Sequence, residues 1–170
     1  MSVIGFLAIA AAGVIAYSLT NTVKSAGLLD YKIEKFQIYN FVKNGKITLR
    51  CLLRIINPTD TQIKVNFITL SAYFKPTISD NKVVSKGSKL ADVNDNQVFY
   101  IKPNNFTDKE LFIEIKWINV LSVLGSNIVS ALMSGDKIKD KFIGQNVLIS
   151  GTIKAENITL PVEKVVKIGA

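Results

Sequence analysis

No histidine occurs anywhere in this chain, and cysteine occurs once. Without histidine a serine or cysteine nucleophile lacks its usual base, and the commonest metal ligand is missing. The expectation is a protein that is not an enzyme and holds no metal and no cofactor. A single cysteine forbids an internal disulfide, and the alternation around Cys51 puts it on the apolar side of its strand, as a small buried hydrophobe. Carboxylates are also scarce: 13 Asp and Glu stand against 21 Lys and Arg, a formal net charge of +8. That balance favours anionic partners such as lipid headgroups, nucleic-acid phosphate or acidic protein surfaces, without choosing among them. No internal repeat or low-complexity segment is present, and the 170 residues bound one domain of ordinary size beside a short leader.

Charge is missing altogether from residues 2–23, and residues 3–19, VIGFLAIAAAGVIAYSL, are almost wholly apolar before Lys24. At a helical rise of about 1.5 Å per residue that run covers roughly 25 Å, close to the hydrocarbon core of one bilayer. The reading is a hydrophobic anchor helix over residues 1–23, a connector at 24–29 and a folded domain at 30–170. Phe6, Leu7, Ala8, Ala12, Gly13, Ile15 and Tyr17 are its candidate contact residues. A cleaved secretory signal would carry Lys or Arg before the apolar stretch, and no basic side chain precedes Val3. Two surroundings stay open, a lipid bilayer or neighbouring subunits of an oligomer or larger assembly. Ala8, Ala12 and Ala16, at four-residue spacing, would allow the close approach that the second requires. Because all side-chain charge follows Val23, a membrane placement puts the helix as a single pass with the domain on the inner side. A place within a virion is the alternative.

Beyond the connector the apolar period becomes two. Ile47, Leu49, Cys51, Leu53 and Ile55 point one way and Lys46, Thr48, Arg50 and Arg54 the other, which is a half-buried strand stopped by Asn57-Pro58-Thr59-Asp60. The next strand begins Ile63-Lys64-Val65 and changes phase to Ile68, Leu70, Ala72 and Phe74, so a bulge is expected near Phe67 and Ile68. Residues 31–41 read as a first strand with a similar slip between Ile33 and Phe36. Shorter strands are expected at 82–85 and 98–101, separated by Gly87 and a polar turn from Asp92 to Asn96. Leu111, Ile113, Ile115 and Trp117 mark another strand. From 118 to 133 the period lengthens, and Leu121, Leu124, Ile128 and Leu132 share the face of one amphipathic helix. Two last strands follow at 147–154 and 158–166. Seven or eight short strands and one helix make the fold class mainly β, an antiparallel β-sandwich.

Two groups of basic residues could meet an anionic partner. Lys137, Lys139 and Lys141 fall within five residues after the helix, and Arg50 and Arg54 share a strand face with Lys46. A solvated loop and ordinary outer-face charge are the plain alternatives. Asp92, Asn94, Asp95 and Asn96 lack the glycine and glutamate of a calcium loop. Asp80, Asp92 and Asp95 read as turn residues, so no carboxylate pair suggests acid-base chemistry. Aromatics do not interleave with the basic residues, which argues against base recognition.

The element Asn57-Pro58-Thr59 with Ile63-Lys64-Val65, the hairpin from Tyr73 to Val84 leading to Ser85-Lys86-Gly87, and the late Ser150-Gly151-Thr152-Ile153-Lys154 with Leu160-Pro161-Val162 together resemble the group 2 late embryogenesis abundant proteins, or water stress and hypersensitive response domain. The resemblance covers residues 30–166. It implies a sandwich of the fibronectin type III kind without enzymatic activity, often behind an N-terminal membrane helix, with roles in stress protection and lipid handling. Similar short proteins are encoded by bacteriophages and look like structural components there. The resulting expectation is a non-enzymatic structural or binding module, anchored in a membrane or large assembly such as a virion or envelope. A membrane-anchored stress-protective or lipid-handling protein is the alternative.

Overall fold

The computed structural model describes residues 25–43, 45–80, 82–116, 118–120 and 142–169. The expected anchor helix with its contact residues, Lys24, most of the expected amphipathic helix and the three lysines Lys137, Lys139 and Lys141 lie outside the described residues. Among the described residues no helix is long and apolar enough to cross a membrane.

Among the described residues ten strands run in order as β1 (Asp30–Lys43), β2 (Lys46–Asn57), β3 (Ile63–Phe74), β4 (Thr77–Ser79), β5 (Lys82–Ser85), β6 (Ser88–Asp95), β7 (Phe99–Ile101), β8 (Asn105–Lys116), β9 (Asn146–Ala155) and β10 (Ile158–Lys167). The long ones follow the two-residue period: every second residue of β2 from Ile47 to Asn57 is buried, and those between stay partly exposed. A first antiparallel sheet has the order β1-β2-β8, and a second has β10-β9-β3-β6 with β7 also paired to β3. A separate hairpin pairs β4 with β5. The two larger sheets turn their apolar faces together, Leu49, Cys51, Leu53 and Ile113 from the first against Ile68, Leu70, Ile149 and Ile153 from the second. This is a β-sandwich.

Both expected bulges occur. The β3 register shifts between Val65 and Phe67, which buries Val65 and Ile68 and leaves Phe67 outside. In β1 it shifts between Ile33 and Lys35. One extra residue at each point lets two out-of-phase apolar sets reach the same core. Two boundaries differ from the sequence reading. Asp92 is not a turn residue but lies within β6 opposite Ser71, and Asp95 closes that strand opposite Ile68. The β8 strand starts at Asn105, well before Leu111, because all twelve of its residues pair in unbroken register with β2. Polar residues with little strand preference are held extended there by a neighbour, which propensity does not register. Residues 118–120 are helical, where the amphipathic helix was expected to start.

The sandwich edges are covered from within. The Glu163 N–H of β10 donates to the Tyr31 hydroxyl of β1 at 2.9 Å. Beside them the chain end adds a short parallel bridge to β1, with the Gly169 N–H donating to Phe36 O at 2.8 Å and the Ile38 N–H to Gly169 O at 3.3 Å. On the other side Asn119 Nδ2 donates to Leu90 O of β6 at 3.3 Å. Such contacts occupy groups that would otherwise invite another strand. The connector also belongs to the core: residues 25–26 are helical, and Ala26 and Leu29 are buried in the apolar cluster.

Candidate functional site

The alternation of β2 does place Lys46, Arg50 and Arg54 on one outer face, as the sequence implies. Strand β8 lies beside them, and its own outward residues carry the opposite charge. Lys46 Nζ meets Glu114 at 2.5 Å, Arg50 pairs with Glu110, and Arg54 forms a forked contact with Asp108 at 2.7 and 2.9 Å. Glu34 of β1 adds a third carboxylate contact to Arg54, at 3.1 Å. The face is thus a ladder of ion pairs, and the two arginines have their charge matched in place. Aromatic rings finish it: the Arg54 guanidinium stands 4.1 Å from the centroid of Phe106, and Tyr39 and Phe112 contact at 5.0 Å. The hydrogen bond to Arg54 holds the Asp108 carboxyl below its usual pKa, and the same bond raises that of Arg54. The signal for the acidic column was present as Asp108, Glu110 and Glu114 at even spacing. Its pairing with β2 was not.

Asn57-Pro58-Thr59 is a latch rather than a mere stop. Asn57 is fully buried, its Nδ2 pointing at Thr61 O (2.8 Å), Lys102 O (3.1 Å) and Ile101 O (3.3 Å). Its Oδ1 accepts from the Thr59 N–H at 3.1 Å and from Thr59 Oγ1 at 2.7 Å. The end of β2 is thereby tied to the end of β7 in the other sheet, and a buried amide is satisfied on both its sides.

Cys51 is buried, and the loss of solvation pushes its thiol up to about 12. Among the described residues no three His, Cys, Asp or Glu side chains come together as metal ligands would. Asp92 bonds Ser71 at 2.5 Å and Lys89 at 2.9 Å. Asp95 bonds Lys109 at 2.9 Å, an ion pair that links the edges of the two sheets. Among the described residues one surface cleft of about 610 Å³ lies between the β4–β5 hairpin and β10, and another of about 250 Å³ along β6 and β8. The second lies where the edges of the two sheets meet, beside the Asp95–Lys109 pair.

No family model matches the chain, and no curated protein sequence does. Among solved structures it is similar to a protein from Archaeoglobus fulgidus, at 13% identity and a TM-score of 0.47 over 82% of this chain and 90% of that one. It is also similar to Spo0M, a sporulation control protein from Bacillus subtilis, at 10% identity and a TM-score of 0.44 over 84% of this chain and 49% of that one. The solution structure of a protein provisionally classed as late embryogenesis abundant matches at 13% identity and a TM-score of 0.34, over 94% and 86%. Likenesses at these scores assign no family and no function.

Proposed function

We propose that the chain is a non-enzymatic structural or binding module: a basic β-sandwich held by its apolar N-terminal segment in a membrane or a large assembly, such as a virion or envelope. One observation carries this reading. Among the described residues the arginines are committed to the ladder, Asp92 and Asp95 to cross-strand contacts, and the thiol to the core. The strand orders β1-β2-β8 and β10-β9-β3-β6, with the buried Asn57 turn, support the finer reading of a fibronectin type III-like fold of the late embryogenesis abundant kind.

The anchoring part is tested in the apolar segment itself. Arginine at Ala11 costs about 2.5 to 3.5 kcal/mol if lipid surrounds it, so Ala11→Arg is expected to release the full chain from membranes. Ala12→Leu keeps an apolar surface and is expected to leave it bound. Loss of assembly with Ala12→Leu, from a wild-type chain that never partitions into lipid, would instead identify a helix packed on protein.

A further inference from the structure

The lysines are unevenly distributed along the sandwich, and strand register locates them. At one end β1 finishes, β2 begins and β8 finishes, and Lys46 and Lys116 are cross-strand register partners. On the β6 side the second sheet ends at the same place, since Asp95 pairs with Lys109 and Asn119 Nδ2 donates to Leu90 O. There Lys75 follows β3, Lys89 opens β6 and Lys167 closes β10. The β4–β5 hairpin leaves from this end with Lys82 and Lys86 and leans along β9 and β10, where Lys86 Nζ donates to Ser150 Oγ at 3.3 Å. Against them stand Asp80, Asp92, Glu114 and Glu163, of which Asp92 and Glu114 already hold Lys89 and Lys46. Among the described residues no ion pair engages Lys75, Lys82, Lys116 or Lys167. At the Asn57 end, by contrast, Arg54 and Lys109 pair with carboxylates, and Lys32, Lys64, Lys102 and Lys154 are matched in number by Asp30, Glu34, Asp60 and Glu156.

The same end exposes aliphatic side chains, Val84 and Ile118 at 66% each and Ile78 at 42%. Ile78 and Val83 also line the hairpin cleft with Lys82, Lys164 and Val165. We propose that this end docks on an anionic lipid bilayer, its lysines among the headgroups and the hairpin's Val84 at the acyl boundary. The apolar residues decide for lipid over nucleic acid. Val84, Ile78 and Ile118 gain from leaving water at an acyl boundary but offer no flat ring for a base, and Tyr73 already has Lys86 at 5.5 Å from its centroid. The proposal extends the binding-module reading but does not require the N-terminal helix, because β1 enters at the opposite end, where Asp30 pairs with Ile56.

The test uses the full chain carrying Val84→Cys, whose thiol takes an environment-sensitive fluorophore while Cys51 stays buried. The expected result is a blue shift on vesicles containing phosphatidylserine and none on pure phosphatidylcholine, whether or not the N-terminal segment retains the chain on both. The shift should vanish at about 1 M salt, where screening acts within about 3 Å, and in the triple variant Lys75→Glu, Lys116→Glu, Lys167→Glu with an unchanged thermal midpoint. Equal shifts on both vesicles, no shift on either, or a shift indifferent to salt would overturn the proposal. So would tighter binding of a short DNA duplex than of the phosphatidylserine vesicles at equal phosphate. Failure of retention on neutral vesicles with the blue shift intact would overturn only the N-terminal anchor.

Discussion

Asn57 shows how much one polar side chain can hold when it is buried with all its partners. Truncating it strands the Thr59 N–H and removes the donor for three carbonyls at the β2 and β7 ends. Asn57→Ala is expected to cost about 2 to 3 kcal/mol in urea unfolding, the penalty for buried groups left unpaired. An unchanged midpoint would mean that the two strand ends are held by something else. Asp95 makes a second residue-scale case. Partial burial opposes its ionisation, but hydrogen bonds from Lys109 and from the Gln97 N–H outweigh that and hold its carboxyl below the ordinary value. A depressed carboxylate stabilises fully above its unfolded pKa, about 3.9, and its contribution is lost as pH falls through the folded value. Unfolding midpoints should therefore stay level from neutral pH down to about 5 and drop below about 4. Asp95→Asn, which breaks a pair with only 14% and 16% side-chain exposure, should lower stability at pH 7 by about 1 kcal/mol and flatten that acid dependence. A variant with the wild-type acid slope would show that the pair is not its source.

At the scale of elements, the pairing of β3 with β9 depends on how closely their backbones approach. A Cβ on Gly151 would run into Thr69 O and the Leu70 Cα of β3, so no side chain fits there without moving a strand. Gly151→Ala is expected to cost about 1 to 3 kcal/mol through overpacking, read as a fall in thermal midpoint. Ser150→Ala, one residue away on the outer face, should stay within about 0.5 kcal/mol. Equal effects at the two positions would contradict the close approach. Gly87 answers the same constraint where the hairpin returns, with a φ of 78° and the Phe74 and Lys75 carbonyls against its missing Cβ. The Gly151 signal was visible in the sequence only as a glycine inside a strand, and its cause lies on another strand far away in the chain.

For the whole molecule, the sandwich closes through its own termini. Ala26 is fully buried, and Ile168 and Gly169 seal the β1 edge. A chain beginning at Ser25 is expected to fold alone with one cooperative transition, whereas one beginning at Asp30 should lose stability because Ala26 and Leu29 leave the core. Circular dichroism melts of the two truncations check this. An unfolded Ser25 form would show that residues 1–24 are part of the core.

What the sequence by itself determined was the local period: which residues of β2 and β3 face inward, where β1 and β3 slip by one residue, and where Asn57 turns the chain. Those features are set by neighbours in sequence, because alternation and bulges are properties of a single strand. Only the tertiary structure decided that the basic column of β2 would lie against the acidic column of β8, with Arg54 and Asp108 separated by 54 positions. It also made strands of the polar stretches at Asp92 and Asp108, and it set Lys46 opposite Lys116. Charge pairing and strand pairing depend on register between distant segments, and that register is fixed only when two apolar faces close on one core.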